Sequence, residues 1–218
     1  MSRCFVIGNG PSLKRTPLDK IKDPCYATNR IHVIYPDVKW RPDVWIIADR
    51  SRCTEHGSDT QFHLEQGYPC WVRADIPRGA EAIMWAKNFP DNFLPFPECS
   101  HIDVEHNPVD EFHFPNPCKM GGSLYVAFQL AVMDGYDEIV FVGIDGNLKA
   151  NSYNHFHPSY ADIDAHSLHS AKLANKNLDH CHNIMSREAK KRGIQILNAT
   201  DGQGAFTQHR PIEIEDLL

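Results

Sequence analysis

"GGSLYVAFQLAVMDGYDEIVFVGID", residues 121–145, decides the fold. Residues 123–133 are apolar almost all the way round, the mark of a buried helix rather than a surface one. Gly135 stops that helix. "EIVFVGID" then runs as a strand with no polar alternation, the pattern of a strand buried on both faces. A buried helix feeding such a strand is the repeating unit of a parallel sheet covered by helices.

Working outward, the same unit recurs. "RCFVI" (3–7) is a short apolar run ended by Gly8, and "CYATN" (25–29), "DVWIIAD" (43–49) and "PCWVRAD" (69–75) are further strands. Short helices are predicted around Pro17–Lys22 and Gly79–Lys87. A long helix is expected from Ser167 to Arg192, where Ala174, Leu178, Cys181, Met185 and Ala189 form one apolar stripe. Gly193 ends it, and "IQILNA" supplies another strand. Residues 88–118, rich in Pro, Asn and Phe, read as a loop-rich insertion with one strand at His101–Val104. Residues 146–166 read as a lid-like loop. The expectation is an α/β, Rossmann-like fold: one domain over residues 1–218, its mostly parallel sheet flanked by helices on both faces.

The bulk numbers agree. A chain of 218 residues supports one sizeable core, and 42% hydrophobic with 23% charged residues is ordinary for a globular protein. A net charge of -6 argues against a general nucleic-acid binder. No run approaches the roughly 18 apolar residues of a membrane span, and no signal peptide precedes the first strand, so a cytoplasmic protein is expected. The seven cysteines contain no CxxC pair, which fits scattered reduced thiols better than a disulfide framework or zinc knuckle.

In open α/β sheets, ligands bind beyond the carboxyl ends of the strands. That rule collects Gly8-Asn9-Gly10, Thr28-Asn29, Asp49-Arg50-Ser51, Gly143-Ile144-Asp145 and Asn198-Ala199-Thr200 on one rim. Two glycines around Asn9 leave no side chain to block a ligand, and free N–H groups in such a turn would attract phosphate or carboxylate. The stretch matches neither GxGxxG nor a Walker loop. Gly122 and Ser123 open the buried helix, where Ser123 is either an N-cap or a ligand contact. A carboxylate at Asp145, closing a buried strand, needs donors from a ribose, an amide, a metal or the backbone. His155, His157, His166 and His169 cluster within fifteen positions. An imidazole suits proton removal from a hydroxyl, while their spacing is poor for zinc.

"VIGNGPSL", the Asn closing the second strand and the small-residue helix start running into "GYDEIVFVGID" resemble bacterial lipooligosaccharide sialyltransferases. They are equally similar to motility-associated flagellin glycosyltransferases and archaeal-type 6-hydroxymethylpterin pyrophosphokinases, and "ILNATDGQGAF" resembles this wider set. The resemblance covers residues 1–29, 121–153 and about 194–205. It implies a transferase taking a nucleotide-activated donor. By position, Asn9 and Asn29 would contact phosphate and sugar, Ser123 and Asp145 the nucleoside, and Tyr153 the leaving phosphate. Asn147 stands where the sialyltransferases carry a second tyrosine. The family base is a histidine shortly before the last long helix, here His169, with His157 and His166 as rivals.

The reading is sugar transfer to an acceptor hydroxyl on a small molecule or glycan. No cofactor is required, and Gly8, Asn9, Gly10 and Ser12 would hold the phosphate. Pyrophosphoryl transfer from ATP is the alternative, in which Mg²⁺ would bind Asp49 and Asp145. A non-catalytic nucleotide-binding domain is the third. The family often assembles, so a homo-oligomer is compatible with each.

Overall fold

A computed structural model of the chain describes residues 2–48, 57–73, 80–96, 122–160, 168–201, 204 and 206–218. Apolar runs become strands where their residues can be covered on both sides. These are β1 (Arg3–Ile7), β2 (Cys25–Thr28), β3 (Val44–Ile47), β4 (Cys70–Arg73), β5 (Phe93–Phe96), β6 (Glu138–Val142), β7 (Gln195–Asn198) and β8 (Arg210–Pro211). All pair in parallel in one sheet, ordered β5-β4-β3-β2-β1-β6-β7-β8. Four helices occur among the described residues: α1 (Gly57–Glu65), α2 (Ala80–Asn88), α3 (Ser123–Met133) and α4 (Leu168–Arg192).

Alternation along β1 sends its residues to two cores. Phe5 and Ile7 join Leu13, Trp45, Leu64 and Trp85 on the face covered by α1, α2 and short 3-10 turns. Cys4 and Val6 join Phe128, Phe141, Cys181 and Met185 beneath α3 and α4. The helices therefore flank both faces, as expected.

The strand order reverses beside β1. Chain order runs outward from β1 to β5 on one side and from β6 to β8 on the other. The crevice at such a reversal lies between the carboxyl ends of the two central strands, here β1 and β6.

Several expectations change. The helix expected at Pro17–Lys22 is a single 3-10 turn, Leu18–Lys20. The sequence pattern does not signal helix α1, because "GSDTQFHLE" has no continuous apolar stripe. Strand β5 lies inside the segment read as loop-rich, and the strand expected at His101–Val104 lies outside the described residues. Of the lid-like loop, residues 146–160 are described; their one regular piece is a 3-10 turn at Pro158–Tyr160. Among the described residues, no helix is long and apolar enough to cross a membrane.

Candidate functional site

A cavity of about 720 Å³ opens at the reversal between β1 and β6. Its floor is the turn after β1 and the Gly143–Asp145 segment after β6. One wall is the start of α3 with Thr28 and Asn29, and the other is the 146–155 loop with Tyr160, Leu178 and Phe206.

The turn after β1 is closed by the chain's own atoms. Gly8 N–H donates to Val142 O and Gly10 N–H to Gly143 O, both at 2.8 Å. Ser12 is wholly buried; its Oγ–H donates to Asp145 Oδ2 at 2.8 Å, and its N–H approaches both carboxylate oxygens at 3.2 and 3.3 Å. A Cβ on Gly10 would lie 1.9 Å from Asp145 Oδ2, and one on Gly8 would lie 2.6 Å from Gly143 O. This corrects the sequence reading of the turn. The two glycines make room for the neighbouring strand's continuation, and the amides of Gly8, Gly10 and Ser12 are already bonded. Asp145 finds donors in the Ser12 hydroxyl, which the sequence reading did not name, and in the Ser12 N–H, the backbone option it left open. Asp49, its partner in the magnesium reading, lies outside the described residues.

Asn9 lines the cavity and is 8% exposed. Its Nδ2 donates to Thr28 O at 2.9 Å and to Thr28 Oγ1 at 3.1 Å. A backbone carbonyl can only accept, so the amide orientation is settled and Oδ1 is left, an acceptor without a partner among the described residues.

The wall at α3 is built differently. Gly122 holds the N-cap position at φ 79°, ψ −160°, a conformation essentially confined to glycine, and among the described residues no side chain caps the helix. Ser123 is therefore the first helical residue, not the N-cap that was one of its two expected roles. Its Oγ–H donates to Asn29 Oδ1 at 2.8 Å while accepting Ala48 N–H at 2.8 Å. Asn29, at φ 52°, is anchored by Trp45 Nε1–H, which donates to its carbonyl at 2.6 Å. Trp45 in turn stacks on His63 at 4.3 Å, and burial pushes the His63 pKa down to about 3, so that imidazole is neutral. Gly122, Ser123 and Leu124 all line the cavity, and an uncapped helix N-terminus there offers amide donors and the positive end of the dipole.

The expected residues Gly8, Asn9, Gly10, Asn29, Gly122, Ser123, Asp145 and Tyr153 thus meet in one cavity. Ser12 sits beneath it. Tyr153 is 55% exposed on a rim of polar residues that includes Asn147, Lys149 and Ser152. His157 accepts Ser159 N–H on Nδ1 at 3.0 Å, and His169 is exposed on the first turn of α4; neither lines the cavity. His166 lies outside the described residues. Among the described residues no group of three or more His, Cys, Asp and Glu side chains is arranged to hold a metal ion.

Some of the wall carried no motif. Phe206 is buried against Gly146, where a Cβ would fall 2.0 Å from its ring at φ 59°. Arg30 donates through Nη1 to Ser159 O at 3.1 Å and Tyr160 O at 2.5 Å, with Nε 3.2 Å from Asp59. It ties the far end of the 146–160 loop to the rim beside Asn29. Its place next to Asn29 was the one available signal.

No family model and no curated protein matches the sequence. Solved structures do resemble it. The MAf glycosyltransferase from Magnetospirillum magneticum AMB-1 superposes at a TM-score of 0.60 with 13% identity over 100% of this chain. The chain spans 34% of that protein's length. A sialyltransferase, CST-II in complex with CMP, superposes at 0.48 with 14% identity, over 91% of this chain and 81% of that one. The fold expected from the sequence resemblance is the fold found.

Proposed function

We propose that the chain transfers a glycosyl group from a nucleotide-activated donor to an acceptor hydroxyl. The observation that carries this reading is the cavity at the β1/β6 reversal, with the uncapped start of α3 on one wall and polar loop residues on the other. The donor phosphate sits at the α3 N-terminus, where amides are unspent, rather than in the turn after β1. Asn9 and Asn29, both on the cavity lining, lie beside the nucleoside. The Tyr153 hydroxyl and the Lys149 ammonium, both at the cavity, face the phosphate charge as it develops. The acceptor oxygen bonds to the anomeric carbon while the bond from that carbon to the phosphate oxygen breaks, its electron pair leaving with the phosphate. The acceptor proton passes to a base.

The likeness to a glycosyltransferase fold supports the class of reaction and leaves donor and acceptor to experiment. The test is thermal stability with CMP, UDP, GDP or ATP, each with and without Mg²⁺. A donor nucleotide at a hundredfold excess over its Kd adds about 2.7 kcal/mol. Stabilisation by CMP, UDP or GDP without Mg²⁺ is expected. Stabilisation by ATP with Mg²⁺ alone would replace the reading with pyrophosphoryl transfer, and no response to any nucleotide would end it.

A further inference from the structure

We infer that Arg30 is a positioning residue for the nucleotide-activated donor, setting the Tyr160 end of the cavity loop against Asn29. This rests on the glycosyl-transfer reading above. The loop is fastened near its start, at its middle and at its end. Near the start, Asn175 of α4 accepts Leu148 N–H on Oδ1 and donates to Leu148 O through Nδ2, both at 2.9 Å. In the middle, Phe156 N–H donates to Asn9 O at 3.1 Å. At the end, Arg30 Nη1 donates to Ser159 O and Tyr160 O, the last carbonyls of a 3-10 turn. Of these three fastenings the last is made by a charge, and charge-assisted hydrogen bonds are about twice as strong as neutral ones.

The guanidinium is itself held in place. Arg30 Nε lies 3.2 Å from Oδ2 of Asp59, a buried residue of α1 whose other oxygen is 3.3 Å from His32 Nε2. The planar fork of arginine lets Nε face Asp59 while Nη1 reaches the loop, a division that a single ammonium cannot make. The backbone from which Arg30 springs is fixed as well. Asn29, one residue earlier, donates its N–H to Ile46 O at 2.9 Å and accepts Trp45 Nε1–H on its carbonyl. Trp45 stacks on His63 of the same α1 that carries Asp59. Helix α1 therefore supports Asn29 through Trp45 and Arg30 through Asp59, and the guanidinium carries that position to the loop.

What is held is the cavity wall opposite Asn29. Tyr160 lines the cavity, and its ring stacks on that of His155, also on the lining, at 4.0 Å. Moving the Tyr160 backbone therefore moves two rings of the wall. Asn29 lines the facing wall, so one side chain, attached next to Asn29 and bonded to Tyr160 O, sets the spacing between them. With the nucleoside beside Asn29, a change in that spacing acts on the donor rather than the acceptor. Groups that position a substrate must themselves be locked by the contacts behind them, as Arg30 is by Asp59.

The experiment compares wild type with Arg30→Lys, Arg30→Ala and Asp59→Asn. It follows nucleotide release from CMP-sialic acid, UDP-N-acetylglucosamine and GDP-mannose with lactose as acceptor, thermal shifts with CMP, UDP and GDP, and amide hydrogen exchange. Arg30→Lys keeps the charge beside Asp59 and removes the fork. It should lower kcat/KM for the donor by about 10²-fold, the cost of a small misplacement, and leave KM for lactose unchanged. Exchange at Phe156 and Tyr160 should quicken while β1 and β6 stay as protected as in wild type. Asp59→Asn should shift both readouts in the same direction, by less. Methylguanidinium should restore part of the rate to Arg30→Ala. Wild-type donor kinetics in Arg30→Lys would overturn the proposal, as would a loss borne by lactose alone. Faster exchange throughout β1 and β6 would make Arg30 a stabiliser of the whole fold and overturn it too. Failure of wild type to bind any nucleotide would instead remove the glycosyl-transfer reading, and exchange at Phe156 and Tyr160 would still decide whether Arg30 sets the wall.

Discussion

The turn after β1 and the start of α3 look alike as text, Gly-Asn-Gly in one and Gly-Gly-Ser in the other, and both face the same cavity. Their chemistry is opposite. In the turn, amides and glycine hydrogens are consumed by Gly143 O, Val142 O and the Asp145 carboxylate. At α3, the glycine starts a helix that no side chain among the described residues caps, and the neighbouring Ser123 hydroxyl is spent laterally on Asn29 and Ala48. A glycine-rich stretch marks a close approach of something to the backbone. What approaches is the protein itself in the first case and open cavity in the second.

The contrast can be broken most sharply at Gly10. Gly10→Ala should cost about 3 kcal/mol, because the new methyl meets Asp145 Oδ2 at 1.9 Å and Gly143 O at 2.9 Å, and a packed site resists such overfilling. Denaturant unfolding measures this; a cost under about 0.5 kcal/mol would mean that the turn is open after all.

Next in size is acid, acting on the His63–Trp45 stack that anchors Asn29. Buried His63 ionises near 3 in the folded chain against 6.5 when exposed, so the unfolded chain binds the extra proton between those values. Its contribution is complete above about pH 6.5 and is lost as pH falls towards 3. Between pH 7 and pH 5 that loss is about 2 kcal/mol. His182 and His209 are also depressed by burial and add to the total. The His63→Phe variant isolates the share: its stability should fall by about 2 kcal/mol less than wild type over that interval. An equal fall in both would dissociate His63 from the acid response.

Ser12→Ala removes the hydroxyl donor to Asp145 and should cost about 1.5–2 kcal/mol, since hydrogen bonds to charged groups exceed neutral ones. Nucleotide binding should persist, because the turn is scaffold. Ser123→Ala breaks a neutral bridge and should cost about 1 kcal/mol. In that variant Asn29 loses its restraint, so a weaker response to CMP or UDP in the thermal-shift assay is expected. The reverse pattern, with Ser12→Ala weakening nucleotide binding and Ser123→Ala leaving it intact, would exchange the roles of the two regions.

Legibility followed position in the sheet. β1, β2, β3, β6 and β7 are interior strands, covered on both faces, and their apolar runs were readable within a residue or two. β5 and β8 are the two edges. Each carries a proline, Pro95 and Pro211, which an edge tolerates because one side of the strand needs no partner, and which discourages a strand reading from sequence. The cavity's glycines, Asn9, Asn29, Asp145 and Tyr153 were legible from strand ends and resemblance. His155 was visible only as one of four histidines, and Arg30, Tyr160 and Phe206 carried no motif, because their roles depend on contacts more than a hundred positions away or across a loop.

By itself the amino-acid order determined the parallel sheet, the buried α3 and the rim on which chemistry collects. Those follow from which side chains avoid water, a property each short segment carries alone. The tertiary structure alone decided that Asp145 closes the turn at Ser12, that the start of α3 opens on the cavity, and which imidazole overlooks it. Each of these depends on pairing donors with acceptors from distant strands, and a hydrogen bond has no partner until the chain has folded.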